Sequence, residues 1–513
     1  MIVASGASFG VMPSQAIGSP FNALGTKQQH ANSDELRVAD GLAAHVVVSF
    51  GQPLGVDGPL GPEFFGYNND WLCLFDQPAK NERILWVNHE YAHPLWVGGH
   101  EGSGRKTLAA IRQEKRAVGG SLLQLLERGG RWAIVPGASV NKRFCALYPT
   151  MAFTGPAAKT LGAATGTLGN CSGGKTPWET ALSCEENYPN FNATGFAGAH
   201  AWSDVAEQAV DEAHFGWVVE IDPQGELPPK KHTALGRFEH EAACVAVGKT
   251  AKVVVYMGDD KQGGHFYKFI SAASLTPSAT RAEKSALLET GTLYVADVLA
   301  GRWLPLCLER SDALNKAAFT AASIAQLTRD AGRCVGGTPL NRPEGCAIDP
   351  RDGSVYLALS NGLLSGDVFG HIVRFIEKDP ESETFDYEIF VAGGLDSGLA
   401  CPDNICFDPR GNLLVACDVA TDKVRRGSYE RFGNNGLFVV PTRGAQKGSA
   451  LQIASGPRDS ELTGMTFDRN GDLFVSVQHP GEGTNSRTMP TSHWPDGSGA
   501  DPRPAVVCIR GLK

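Results

Sequence analysis

The chain has 513 residues, 42% of them hydrophobic and 20% charged, and a formal net charge of −9. That is ample apolar material for a large buried core, and such an acidic balance argues against a nucleic-acid or anionic-membrane partner, both of which need a positive face. The 61 glycines and 30 prolines suit many short strands joined by turns, no run is long and apolar enough to span a bilayer, and the 12 cysteines show no paired CxxC spacing.

From Met1 to Pro13 the chain is small and apolar, with no charged side chain until Lys27. It reads either as the remnant of an export signal or as an ordinary flexible N-terminus. Residues 1–35 are therefore set apart from a single domain over 36–513.

The next element is a strand at Ile84-Leu85-Trp86-Val87 that runs into Asn88-His89-Glu90. The five residues HEYAH (His89 to His93) match a zinc-peptidase pattern, but that pattern works only on a helix, and here a strand precedes it and Pro94 follows. The segment Arg105 to Leu126 has helical composition and is expected to be a helix inserted in a loop. Gly169 to Thr176 (GNCSGGKT) matches a phosphate-binding loop, yet Pro177 and Trp178 stand where a helix should begin. Further strands end at Cys184-Glu185-Glu186 and, after Val253 to Tyr256, at Asp259-Asp260. A second helical insertion is expected over Leu314 to Ala331. GASFG at Gly6 to Gly10 and Asp396-Ser397-Gly398 lack the surroundings of a catalytic serine.

The C-terminal half repeats. Pro343-Glu344 leads to Asp349 and Gly353 and then Val355-Tyr356-Leu357. Pro402-Asp403 leads to Asp408 and Gly411 and then Leu413-Leu414-Val415, and a third copy has Asp468, Gly471 and Leu473-Phe474-Val475. The three aspartates, turn formers by type, lie 59 and 60 positions apart. Each copy is a hairpin with apolar strands, and regular hairpins predict a propeller. Counting the earlier strands and those ending at Asn361, Asp418 and Gln478-His479 makes six, so the expectation is an all-β, six-bladed β-propeller with helical insertions. The six strands finish in polar, often acidic groups, and so many carboxylates converging on one channel mouth need cations. Glu90, Glu185, Glu186 and Asp403 are candidate metal ligands by this placement, although each of the first three also reads as a surface acid.

Several segments, in order, resemble the PhoX family of bacterial alkaline phosphatases. They are FGYNND (65–70), NHEY (88–91), NCSGGKTPW (170–178), SCEEN (183–187), FGWVVEIDP (215–223), ALGRFEHEA (234–242), YMGDD (256–260), RPE (342–344), GHI (370–372), PDN (402–404) and QHPGE (478–482). The resemblance implies a propeller holding iron and calcium, hydrolysis of phosphate esters outside the cytoplasm, and export to the periplasm or beyond by the twin-arginine route. It also implies that Cys171 is a thiolate ligand of iron, that Glu241 and Glu344 are carboxylate ligands, and that Arg342 contacts the substrate phosphate. Asn170 joins Arg342 as a catalytic candidate.

Read from the residues alone, Cys171 is either a buried structural cysteine or a ligand, and the inward carboxylates pair with a metal or with a basic side chain. Glu179 and Asn404 depart from the family pattern and leave room for an altered substrate preference. The expected partner is a small phosphate ester, and the expected state is a monomer. The alternatives are a propeller hydrolase of another ester or lactone, and a binding scaffold without catalysis.

Overall fold

A computed structural model describes residues 33–512 other than 103, 194–200 and 363–364. GASFG and most of the stretch set apart as the N-terminus lie outside the described residues. Asp34 is inside them, accepting hydrogen bonds from Ser492 Oγ at 2.6 Å and His493 N at 2.7 Å.

Six sheets stand around one axis as the blades of a β-propeller, all antiparallel except for one parallel pair, Thr150–Thr154 with Lys230–His232, in the second. The inner strands are Asn69–Asp76, Asn170–Lys175, His240–Val247, Pro343–Ile348, Pro402–Phe407 and Glu461–Phe467. Each pairs with the next strand in sequence: Glu82–His89, Ala181–Glu185, Lys252–Asp259, Val355–Leu359, Leu413–Cys417 and Leu473–Gln478. The ring closes by strand exchange. Ala43–Ser49 pairs with the last strand, Ala505–Arg510, to complete the sixth blade, and Arg37–Val38 adds an edge to the fifth.

Strand alternation explains the packing. Val253, Val255 and Met257 face the second blade, while Val254 and Tyr256 between them face the fourth. Both faces of a blade are thus buried, and the core is divided into apolar wedges, one at each blade interface. The repeat aspartates are turn formers: Asp408 Oδ1 accepts from the backbone of Arg410 and Asn412, and Asp468 Oδ1 from that of Asn470 and Asp472.

Two expected helices are corrected. Only Leu108–Ala117 of the first is helical, and Gly119–Arg128 is the third strand of the first blade. Gly119 takes a φ of 97° that ends the helix, and the doubled leucines that suggest a helical face instead fill both faces of a buried strand, Leu123 and Leu125 on one side and Leu122 on the other. The second breaks into Asp312–Lys316, Ala321–Gln326 and Thr328–Val335. Thr320 caps the middle piece through a reciprocal pair of bonds with Ser323, starting a new helix where the alanine-rich composition suggests continuity.

Candidate metal centre

At one end of the channel the blades present the same backbone position to the axis. The second residue of the first five inner strands is Asp70, Cys171, Glu241, Glu344 and Asp403, and the sixth inner strand begins at Glu461. Just beyond, every inner strand slips register against its neighbour. A bulge of this kind bends the strand and re-aims its side chains. The residue after the end of each second strand adds a further ring: Glu90, Glu186, Asp260, Asp418 and His479. In the fourth blade that position is Ser360, and here Arg342 Nη1 stands 3.3 Å from its hydroxyl.

Ligand atoms of Asp70, Glu90 and Cys171 lie within 4.8 Å of one another, as do those of Cys171, Glu186 and Glu241, and those of Glu241, Glu344 and Asp403. The three groups share Cys171 and Glu241 and run continuously from the first blade to the fifth. All of these side chains are buried. The Cys171 thiol donates to Asp70 Oδ2 at 3.0 Å, and Gln478 donates to Glu90 Oε2 at 2.8 Å. Glu241 Oε2 and Asp403 Oδ1 have no hydrogen-bond donor, and Glu344 Oε1 has the Arg342 guanidinium 2.9 Å away but out of hydrogen-bond alignment.

Electrostatics indicate what this arrangement can hold. Burial and then the neighbouring charges push Asp70, Glu186, Glu241 and Glu344 well above the carboxylate range, Arg342 opposing the rise at Glu344. Burial raises Glu90 to about 7 and Asp403 to about 6. Burial and the charges of Asp70 and Glu241 hold the Cys171 thiol protonated. Burial also opposes ionisation of Asp260, but the Arg342 guanidinium outweighs it and keeps that carboxyl low. So many acids at such spacing stay ionised only when cations enter. The unpartnered oxygens and the single sulfur are donors of the type that cations take.

Arg342 lies at the edge of the group, with Nε and Nη2 each 2.8 Å from the Asp260 carboxylate. Two candidates face elsewhere. Glu185 is turned into its own blade by strand alternation, and accepts from Lys231 Nζ at 2.6 Å, Thr167 Oγ1 at 2.7 Å and Trp217 N at 3.2 Å. Asn170 donates to Thr167 Oγ1 and Ser183 Oγ, both at 2.8 Å.

Asp70, which belongs to a ligand group, and the nearby acids Asp260, Asp418 and Glu461 are not among the candidates read from the sequence. Asp260 and Asp418 directly follow second strands, and Asp70 closes the FGYNND segment. Glu461 is hidden by spacing: the repeat aspartate follows Glu344 and Asp403 by five residues but follows Glu461 by seven.

His89 ends a strand, with ring nitrogens 3.0 Å from Tyr67 O and 2.8 Å from Ser121 Oγ. Lys175, the lysine of the phosphate-loop pattern, ends an inner strand and pairs with Glu179 at 2.7 Å. Farther along the axis a cavity of about 280 Å³ is lined by residues that include Trp71, Gly173, Cys244, Cys346 and Met465.

A family model described as "Alkaline phosphatase PhoX" matches residues 20–481. Among solved structures, that of Pseudomonas fluorescens PhoX in complex with vanadate, a transition state analogue, is 28% identical, with a TM-score of 0.82 over 95% of this chain and 97% of that chain. A protein of unknown function from Dyadobacter fermentans is 11% identical, with a TM-score of 0.41 over 92% of this chain and 99% of that one. A gluconolactonase from Xanthomonas campestris is 11% identical, with a TM-score of 0.31 over 89% and 99%. No curated protein matches the sequence.

Proposed function

Because the chain belongs to the PhoX family of alkaline phosphatases, we propose that it hydrolyses phosphate monoesters, and diesters by the same chemistry, at an iron and calcium cluster on the propeller axis. The observation that carries this reading is the continuous set of ligand atoms through Cys171 and Glu241, with acceptor oxygens that lack donors.

Cys171, Glu241 and Glu344 are assigned to iron, because a thiolate with carboxylates suits the ferric ion, while Asp70, Glu90, Glu186 and Asp403 offer the oxygen-rich surroundings that calcium takes. When bound, the cations would supply positive charge for the phosphate oxygens and lower the pKa of an attacking water. Arg342 is the chain's own contribution to substrate binding. Its guanidinium is aimed by Asp260, and its Nη1 side faces the hydroxyl of Ser360, so the donors there can meet a phosphate oxygen. Asn170 acts from within its blade, supporting the strand that carries Cys171. Membership of the family supports export out of the cytoplasm; the twin-arginine route and a monomeric state belong to the same proposal, although residues 1–26 carry no arginine.

The test is metal analysis of the purified protein beside turnover of p-nitrophenyl phosphate. Iron with calcium should copurify, and Arg342→Ala should keep both metals while losing most turnover. Full activity in metal-free protein, or in Arg342→Ala, would refute the site.

A further inference from the structure

The sulfur of Cys171 can point at the cluster only if the backbone beneath it is held out of the regular ladder. The inner strand of the second blade leaves register between Asn170 and Gly173, so the carbonyls of Cys171 and Ser172 fall where the sheet supplies no partner. Both residues are buried, and buried carbonyls need donors. Those donors come from another blade. Asn88, on the second strand of the first blade, donates from Nδ2 to Cys171 O and to Ser172 O, each at 2.8 Å.

The orientation of this amide is fixed by chemistry. Its Oδ1 accepts from Trp86 Nε1 and from Ser183 Oγ, each at 2.7 Å. An indole nitrogen only donates, so the oxygen must face Trp86 and the two N–H groups must face the carbonyls. Asn88 is fully buried and its two donors and two acceptor positions are filled, which leaves nothing to offer a substrate. Ser183 is held in turn by Asn170 Nδ2 at 2.8 Å. The bulge is therefore clamped from the neighbouring blade and, through Ser183 and Asn170, from its own.

We propose that Asn88 is the positioning residue for Cys171, setting the direction of the thiolate by holding the two bulge carbonyls; the inference rests on the assignment of Cys171 to iron. Asparagine suits the task because it both donates twice and accepts twice. Aspartate has the same shape and no donor.

The test compares purified Asn88→Asp, Ser183→Ala, Cys171→Ser and Arg83→Met proteins with the parent. The readouts are iron retention against a competing chelator, the thiolate-to-iron absorption band and the thermal midpoint. Asn88→Asp should weaken iron binding roughly 10–100-fold, the range typical when the support of a metal ligand is removed, and should shift or bleach the band. Ser183→Ala should move the band in the same direction by less, and carries the test if Asn88→Asp does not fold. Arg83→Met breaks a buried ion pair with Asp468 at 3.0 Å, five residues back along the strand of Asn88, and should lower the midpoint while leaving the band in place. A parental band and iron affinity in both Asn88→Asp and Ser183→Ala would overturn the proposal, as would equal changes in Arg83→Met. Retention of the band in Cys171→Ser would instead overturn the assignment of the ligand.

Discussion

In a Glu185→Gln variant the ammonium of Lys231 would face a neutral amide in the interior of the second blade. Both side chains are fully buried and 2.6 Å apart, and removing one member of such a pair costs about 3–5 kcal/mol because the other charge stays behind. With roughly 500 residues contributing about 2.1 cal/mol/K each, the unfolding entropy is about 1 kcal/mol/K, so the melting temperature should fall by about 3–5 °C. Metal content should not change, since Glu185 is turned away from the cluster. The adjacent residue behaves oppositely. Glu186 shares a ligand group with Cys171 and Glu241, so Glu186→Gln should lower metal content, yet burial and the neighbouring acids hold Glu186 protonated without metal, so the change exchanges one neutral group for another and should leave metal-free protein about as stable as the parent. Calorimetry of chelator-treated and metal-loaded samples, beside metal analysis, separates the two. Loss of metal without loss of stability in Glu185→Gln would refute the reasoning, and so would a Glu186→Gln protein that keeps its metals and melts 3–5 °C lower.

Chelation should also give the protein a pH dependence that the loaded form lacks. Burial raises Glu90 from 4.5 to about 7 and Asp403 from 3.8 to about 6, so across that window the folded apoprotein holds protons that the unfolded chain releases. Its stability is therefore greatest at the acidic end and falls as pH rises toward 7; a melting temperature that rises over the same range would refute this. Metal uptake near pH 6 should release protons into weakly buffered solution, and titration without release would mean that the carboxyls were already ionised. Gly174→Ala should cost about 1–3 kcal/mol by overpacking, because a Cβ there would overlap the Ala243 carbonyl of the next blade; an unchanged urea midpoint would show that the inner strands have room.

Much of the ring is legible in sequence because its hairpins repeat near 60 residues and carry their turn aspartates with them. Composition fails where a strand is buried on both sides. The leucines of Gly119–Arg128 show neither clean alternation nor a polar face, so they pass for helix. In the site, Cys171, Glu241 and Glu344 are reached by resemblance, and Glu90, Glu186 and Asp403 by their place in the repeat. Glu185 and Glu186 cannot be told apart from sequence, since a shift of one residue exchanges the channel for the blade interior. Glu461 escapes because the inner strand of its blade is longer, and Asp70 because nothing local marks the bulge that turns it inward. The role of Asn88 needs two blades at once and leaves no trace in a linear pattern.

The strand Ala43–Ser49 has its partner in Ala505–Arg510, at the far end of the chain. A ribosome therefore releases nearly the whole molecule before the circle can be joined, and every shorter product carries an open sixth blade. Glu461, which also begins that blade, arrives late as well. Ligand groups that include Asp70 and Glu90 of the first blade must wait for the rest of the ring, so truncated products should hold less metal than the full chain.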